Sequence, residues 1–303
     1  MTKTGPVRTA IFPVAGLGSR FLPATKATPK ELLPVIDTPL IQYAIDEAKA
    51  AGIERLVFVS HPSKAAIERH VMDDAALRAD LQARGKAGLA AALAETALRT
   101  PEDDVIFTFQ HQPLGLGHAV LCARDHVLPG PAAVILPDDL ILGEPGCLSE
   151  MIDVYATAGT GHLVATMEVA AQETGKYGIL DTDTGTAAAQ GRLFPARGMV
   201  EKPNPKDAPS RHAVVGRYVL DASIFDDLAA QAPGAGGEIQ LTDAIAKGID
   251  RVGLAGFAFS GTRFDCGSKA GMLRATLHLA SQDPEYAEVL EDYGLAPRVA
   301  PAA

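Results

Sequence analysis

Thr9-Ala10-Ile11-Phe12-Pro13-Val14 is a short apolar run that stops at Ala15-Gly16-Leu17-Gly18, and this junction decides the fold class. A run of that length ending in glycines reads as a buried strand entering a tight turn. Downstream, Pro39 opens a helical pattern with Leu40, Ile41, Ala44, Ile45 and Ala48 on one face. Proline suits a first helical turn because its missing N–H has no partner there in any case. Gly52 is placed to close that helix, and Leu56-Val57-Phe58-Val59 follows as a second buried strand. Strand, loop, helix, strand is the beginning of a parallel sheet, since parallel neighbours need a crossover between them.

Further out, Val105–Phe109, Ala132–Leu136 and Leu163–Val169 read as buried strands, and the Ala-, Leu- and charge-rich residues 64–100 as a solvated helical cover. Beyond residue 170 the order is less regular, with Gly178–Asp181, Val214–Leu220 and Gly253–Phe259 expected as strands of a mixed sheet. Residues 270–282 read as a helix, and the tail from Ala296 as frayed. No repeat or low-complexity linker divides the chain. A single domain over 1–303 is expected, with its core at about 8–265 and a C-terminal helical extension over 266–303.

An apolar content of 47% is enough for a sizeable core, yet no stretch reaches the roughly 18 consecutive apolar residues of a membrane span. The N-terminus, Met1-Thr2-Lys3-Thr4-Gly5-Pro6, leads into a strand and not into a signal-peptide apolar segment, so a cytoplasmic location is expected. The net charge of −10 argues against a nucleic-acid or anionic-membrane surface, which needs a basic face. A phosphorylated small molecule is compatible with it, because a few local cations suffice. Cys122, Cys147 and Cys266 are too few and too scattered for a disulfide framework or a Cys-rich zinc site.

Chemistry concentrates between Gly16 and Pro34. Glycines after a first strand let the backbone approach a phosphate chain and aim amide N–H groups at it. A dinucleotide fingerprint would place a third glycine where Phe21 stands, and a Walker A Gly-Lys-Ser/Thr is absent. Instead Arg20, Lys26 and Lys30 lie on a loop stiffened by Pro23, Pro29 and Pro34. Such a loop suits a triphosphate: Arg20 can fork onto oxygens and Lys30 can act as a point charge. Asp138-Asp139 follows a buried strand, which puts Asp138 at the carboxyl edge of a parallel sheet, where α/β enzymes bind ligands. Asp139 has two readings, a supporting group behind Asp138 or a solvated neighbour. An Asp pair at a strand end can also cap a helix.

The loop, Gly16-Leu17-Gly18-Ser19-Arg20-Phe21-Leu22-Pro23-Ala24-Thr25-Lys26-Ala27-Thr28-Pro29-Lys30-Glu31, resembles the nucleotide-binding signature of the sugar-phosphate nucleotidyltransferases. Its closer form resembles the bacterial branch that acts on UTP and glucose 1-phosphate. The resemblance continues in order through Gln112–Ala119, Leu136–Asp139, Val200–Pro203, Gly236–Asp243 and Arg263–Lys269. It implies a three-layer, Rossmann-like α/β sandwich with a mostly parallel central sheet and a smaller mixed β region for the sugar. It also implies Mg²⁺ on Asp138 and Asp265, with Arg20 and Lys30 on the leaving phosphates and Lys202 on the sugar phosphate. Ala15, Gly16, Gly18 and Gly115 would line the nucleotide, and Gln110 and Glu31 would read the base. Glu201 would accept from sugar hydroxyls, with Tyr177, Gly178 and Val215 as the sugar-side wall. A homo-oligomer, tetramer or dimer, is implied as well. His61, His111 and His118 read as structural. Ser19, Phe21 and Thr28 depart from the commoner pattern; Ser19 keeps a hydroxyl, and none of the three removes a charged group. That leaves open the same chemistry on another pair, such as dTTP with glucose 1-phosphate. A catalytically dead relative is disfavoured because all five charged groups, Arg20, Lys30, Asp138, Lys202 and Asp265, are present.

Overall fold

The computed structural model describes residues 5–182 and 192–295. In its first half lie β1 (Thr9–Pro13), β2 (Pro34–Val35), β3 (Thr38–Pro39), β4 (Arg55–Ser60), β5 (Asp104–Phe109), β6 (Ala132–Ile135) and β7 (Asp139–Leu142). Then follow β8 (His162–Glu168), β9 (Gly178–Asp181), β10 (Leu193–Ala196), β11 (Gly198–Glu201), β12 (His212–Leu220), β13 (Leu254–Ala258) and β14 (Thr262–Asp265). The helices are α1 (Leu40–Ala50), α2 (Ala65–Val71), α3 (Ala75–Ala83), α4 (Ala87–Thr96) and α5 (Leu116–Cys122), followed by α6 (Cys147–Ala158), α7 (Ile224–Ala229), α8 (Leu241–Val252), α9 (Lys269–Ala280) and α10 (Ala287–Asp292).

The main sheet runs β10-β13-β8-β12-β6-β1-β4-β5. Of these, β13, β8, β6, β1, β4 and β5 are mutually parallel, and β12 and β10 run against them. β9 joins the far end of β12 and carries β11, which forms the smaller mixed region. Side chains alternate between two cores. Ala10, Phe12, Leu56 and Phe58 pack against α1, α2 and α6, while Ile11, Val57 and Val59 pack against α5, α7 and α8. Burial on both faces is why β1 and β4 read as unbroken apolar runs; β5, expected as a buried strand, is the edge of the sheet and none of its residues is buried. The result is the expected three-layer sandwich.

After β1 the chain winds outward to β4 and β5, then returns to β6 on the opposite side of β1. That reversal opens a crevice at the carboxyl ends of β1 and β6, where open α/β sheets bind ligands. The first crossover is fixed by its helix ends. Gly52, left-handed at φ +76, donates to the Lys49 carbonyl, and Ile53 donates to that of Ala48, closing α1 as a Schellman motif. Pro39 sits one residue outside α1, as its cap. The helical cover is α2, α3 and α4, and α3 buries none of its side chains. The expected frayed tail lies outside the described residues.

One irregularity matters for the site. Along β12, Val214 pairs with Thr166 but Tyr218 pairs with Val164, so Val215, Gly216 and Arg217 form a bulge. Bulges re-aim side chains, and this one faces the loop between β6 and β7.

Candidate active site

The turn after β1 is shaped for close approach. Gly18 is left-handed at φ +66, and a Cβ there would meet Lys30 Cβ at 3.1 Å and Thr25 Cγ2 at 3.3 Å. Thr25 donates its hydroxyl hydrogen to the Gly18 carbonyl at 2.8 Å. The Lys30 stem therefore lies against Gly18, with Gly16 alongside it and Ala15 partly buried at the strand end. Arg20 and Lys26 are exposed on two short 3₁₀ turns.

The Lys30 ammonium donates to Asp138 Oδ2 at 2.5 Å. Burial pushes the Asp138 carboxyl up, but that ammonium outweighs burial and holds its pKa below the ordinary value. Burial likewise pushes Lys30 down, and Asp138 together with Glu31 carries it above normal. Asp265 arrives from the end of β14. A Cβ on Gly267 would lie 2.8 Å from Arg20 Nη2, 2.9 Å from Asp138 Oδ2 and 3.1 Å from Asp265 Oδ1. Two carboxylates and a guanidinium thus converge on one small space that only a glycine leaves open. Among the described residues no cluster of three or more His, Cys, Asp or Glu forms a cage of protein ligands. A pair of carboxylates is what Mg²⁺ takes when water and phosphate fill its other positions, so the residues fit that ion.

Asp139 is neither solvated nor a helix cap. It begins β7, is 7% exposed, and its oxygens accept from the Arg263 guanidinium and, at 2.6 Å, from the Gly216 N–H. Arg263 also donates to the Tyr177 hydroxyl at 3.3 Å and lies over its ring. The neighbouring Cys266 thiol is pushed up to about 12 by burial, which keeps it protonated and non-nucleophilic.

Beside the acid pair opens a cavity of about 570 Å³, within the range of small-molecule sites. Its lining brings Arg20, Asp138 and Asp265 together with Tyr177, Gly178, Glu201, Lys202 and Val215. Glu201 Oε2 accepts from the Thr242 hydroxyl at 2.7 Å, and Oε1 lies 3.0 Å from Lys202 Nζ. A Cβ on Gly178 would approach Glu201 Oε2 to 3.4 Å. Lys202 has φ +43, a conformation that costs a non-glycine residue about 1–3 kcal/mol, and its N–H is held by the Tyr177 carbonyl at 3.0 Å.

Gln110 and Glu31 are each held by protein partners. The Gln110 amide nitrogen donates to the Gly115 carbonyl at 3.0 Å and contacts His118 Nδ1 at 3.0 Å. Gly115, at φ +94, caps α5. Because a carbonyl only accepts, the amide orientation is fixed, and its oxygen is the group left for a ligand. Gln110 therefore offers an acceptor. Glu31 is wholly buried and away from the cavity wall, with Oε2 accepting from Lys64 at 3.0 Å. Burial raises the Glu31 pKa against the pull of Lys30 and Lys64, and burial lowers that of Lys64. Lys64 also donates to the Val14 carbonyl at 2.7 Å, so Glu31 braces the loop from beneath.

The nucleotidyl transferase family model matches residues 10–282. The chain belongs to that family. A UTP–glucose-1-phosphate uridylyltransferase from Komagataeibacter xylinus is 45% identical over 264 residues, 87% of this chain and 90% of the relative. A UTP-bound UGPase from Acinetobacter baumannii has a TM-score of 0.84 at 39% identity, covering 95% of this chain and 98% of that one. A UDP-glucose pyrophosphorylase complexed with UDP-glucose has a TM-score of 0.78 at 36% identity, covering 90% and 98%.

In this nucleotidyl transferase the structure brings together Arg20, Lys30, Asp138 and Asp265, and places Tyr177, Gly178, Glu201, Lys202 and Val215 around the same cavity. Sequence reasoning missed Lys64, Thr242, Arg263 and Arg217. Thr242 and Arg263 lie inside quoted motifs but carry no role there. Arg217, a charge within the apolar run Val214–Leu220, is itself the signal of a buried ion pair.

Proposed function

We propose that this nucleotidyl transferase joins UTP to glucose 1-phosphate, giving UDP-glucose and pyrophosphate, with Mg²⁺ on Asp138 and Asp265. The observation that carries this reading is the convergence of Arg20, Asp138 and Asp265 around Gly267, beside a cavity that Glu201 and Lys202 also line. The relatives' names point to the same substrates. A phosphate oxygen of glucose 1-phosphate attacks the α-phosphorus of UTP, and the α–β bridging oxygen leaves with its electron pair on pyrophosphate. The nucleophile is already an anion at neutral pH, so no general base is needed, and catalysis is positioning and charge neutralisation. Mg²⁺ bound at the acid pair would neutralise phosphate oxygens and orient them. Lys30 exchanges Asp138 for the β,γ-phosphates, which Arg20 also holds, and Lys202 steers the incoming phosphate. Gln110 accepts the ring N–H of uracil through its side-chain oxygen, while cytosine presents an acceptor there and is refused. The same reading includes one catalytic domain with residues 266–303 as an extension, an assembly of two or four copies, and a cytoplasmic site of action.

Glu201→Gln tests the sugar side. A carboxylate accepting from hydroxyls is a charge-assisted contact worth about 1.5–3 kcal/mol, more than an amide offers. The KM for glucose 1-phosphate is expected to rise more than about tenfold, with that for UTP within twofold. Equal effects on both substrates would remove Glu201 from the sugar.

A further inference from the structure

We infer that Arg217 and Glu47 form a buried clamp that positions the Asp138 loop. This rests on the reading of Asp138 as a group at the phosphate chain. Arg217, in the β12 bulge, is 1% exposed. Its Nε and Nη2 grip the Glu47 carboxylate of α1, with the shortest contact at 2.7 Å. Its Nη1 donates to the carbonyls of Leu136 at 3.2 Å and Asp139 at 2.9 Å. One guanidinium therefore ties down the peptides on both sides of Pro137-Asp138. Gly216 completes the hold: its carbonyl accepts from the Leu136 N–H at 2.9 Å, and its N–H donates to the Asp139 carboxylate. Glu47 also accepts from the Leu148 N–H at 2.9 Å, so α6 is joined to the same node.

A buried ion pair is no stability device in itself, because desolvating both charges offsets much of their attraction. An apolar pair could fill the same space. It could not supply a donor to two loop carbonyls while its own charge is compensated by a carboxylate from another helix. The planar fork of arginine does both, whereas a lysine ammonium, a single point of charge, cannot span carboxylate and carbonyls together. Arg217 touches no substrate in this scheme and is a positioning residue. The lever is short, since shifting a reacting group by about 1 Å can cost about a hundredfold in rate.

The test is Arg217→Lys, with Arg251→Lys as control. Arg251 also pairs with a buried carboxylate, that of Asp227, through a half-exposed side chain, and lies at the end of α8 remote from Thr242. For Arg217→Lys, kcat is expected to fall about ten- to a hundredfold, with each KM within about threefold. The Mg²⁺ concentration for half-maximal rate should rise several-fold, and the Asp139 amide should exchange its hydrogen faster. Arg251→Lys should change none of these. Parental kcat, Mg²⁺ response and Asp139 exchange in Arg217→Lys would overturn the clamp. If Arg217→Lys does not fold, Glu47→Gln, which keeps every arginine donor, is expected to move the same quantities in the same direction, and parental values there would overturn the clamp. A parent enzyme that released no pyrophosphate from UTP and glucose 1-phosphate would sink the functional reading, while Asp139 exchange would still decide the clamp.

Discussion

Gly267 shows how little room separates binding from exclusion at the scale of single residues. Its φ lies outside the left-handed region, so alanine fits the backbone, and the three atoms that a Cβ would meet are the far ends of flexible side chains. Gly267→Ala should fold normally yet hold Arg20, Asp138 and Asp265 apart. Pyrophosphate release is expected to fall about a hundredfold or more at unchanged melting temperature; near-parental turnover would separate this space from the chemistry. The charged groups here were legible from the motifs, because each carries a distinctive residue at a strand end or in the proline-stiffened loop. Their present partners were not legible. That Lys30 rests on Asp138, and Glu31 on Lys64, depends on contacts across 108 and 33 residues, which no local pattern encodes.

Among the elements, the α9 terminus is the most tightly specified. Ser268 caps the helix by accepting from the Gly271 N–H at 3.1 Å and donates to the Asp265 carbonyl at 3.0 Å. A Cβ on Gly271 would overlap that same carbonyl. Unlike the Gly267 case, the obstacle is backbone. Gly271→Ala should force α9 off the end of β14 and lower stability by about 1–3 kcal/mol, read from the urea midpoint. An unchanged midpoint would mean that the helix docks more loosely than described. Strands buried on both faces, such as β1, β4 and β6, were read from sequence to within a residue or two. β9 was read to the residue, whereas its partner β11 and the β7–β14 pair were not: these strands are four residues long, and β7 and β14 pair across more than a hundred residues of chain. The β12 bulge was invisible, because Val214–Leu220 reads as one strand whichever way its middle is aimed.

Across the whole molecule, stability and chemistry respond to different charges. His162 at the start of β8 is fully buried; Nδ1 accepts from the Asp221 N–H at 3.3 Å, and Nε2 has no hydrogen-bond partner. Burial lowers its pKa to about 4 despite nearby Asp221 and Asp227. The unfolded chain, with histidine near 6.5, then binds a proton that the folded chain refuses, so stability falls as pH drops from about 6.5 to 4. The loss attributable to His162 is up to roughly 3 kcal/mol. Urea unfolding of the parent and His162→Asn across that range should show a shallower acid slope in the variant; equal slopes would place the loss elsewhere. The net charge of −10 is set against a site whose proposed substrates are themselves anionic, so their binding would depend on the few cations gathered at the carboxyl edge of the sheet. Uridylyl transfer is tested most directly by following UTP, glucose 1-phosphate and Mg²⁺ with the protein by ³¹P NMR. UDP-glucose and pyrophosphate should appear in equal amounts, CTP should be a far poorer donor, and Asp138→Asn or Asp265→Asn should remove most of the signal. Pyrophosphate without UDP-glucose, or equal use of CTP and UTP, would contradict it.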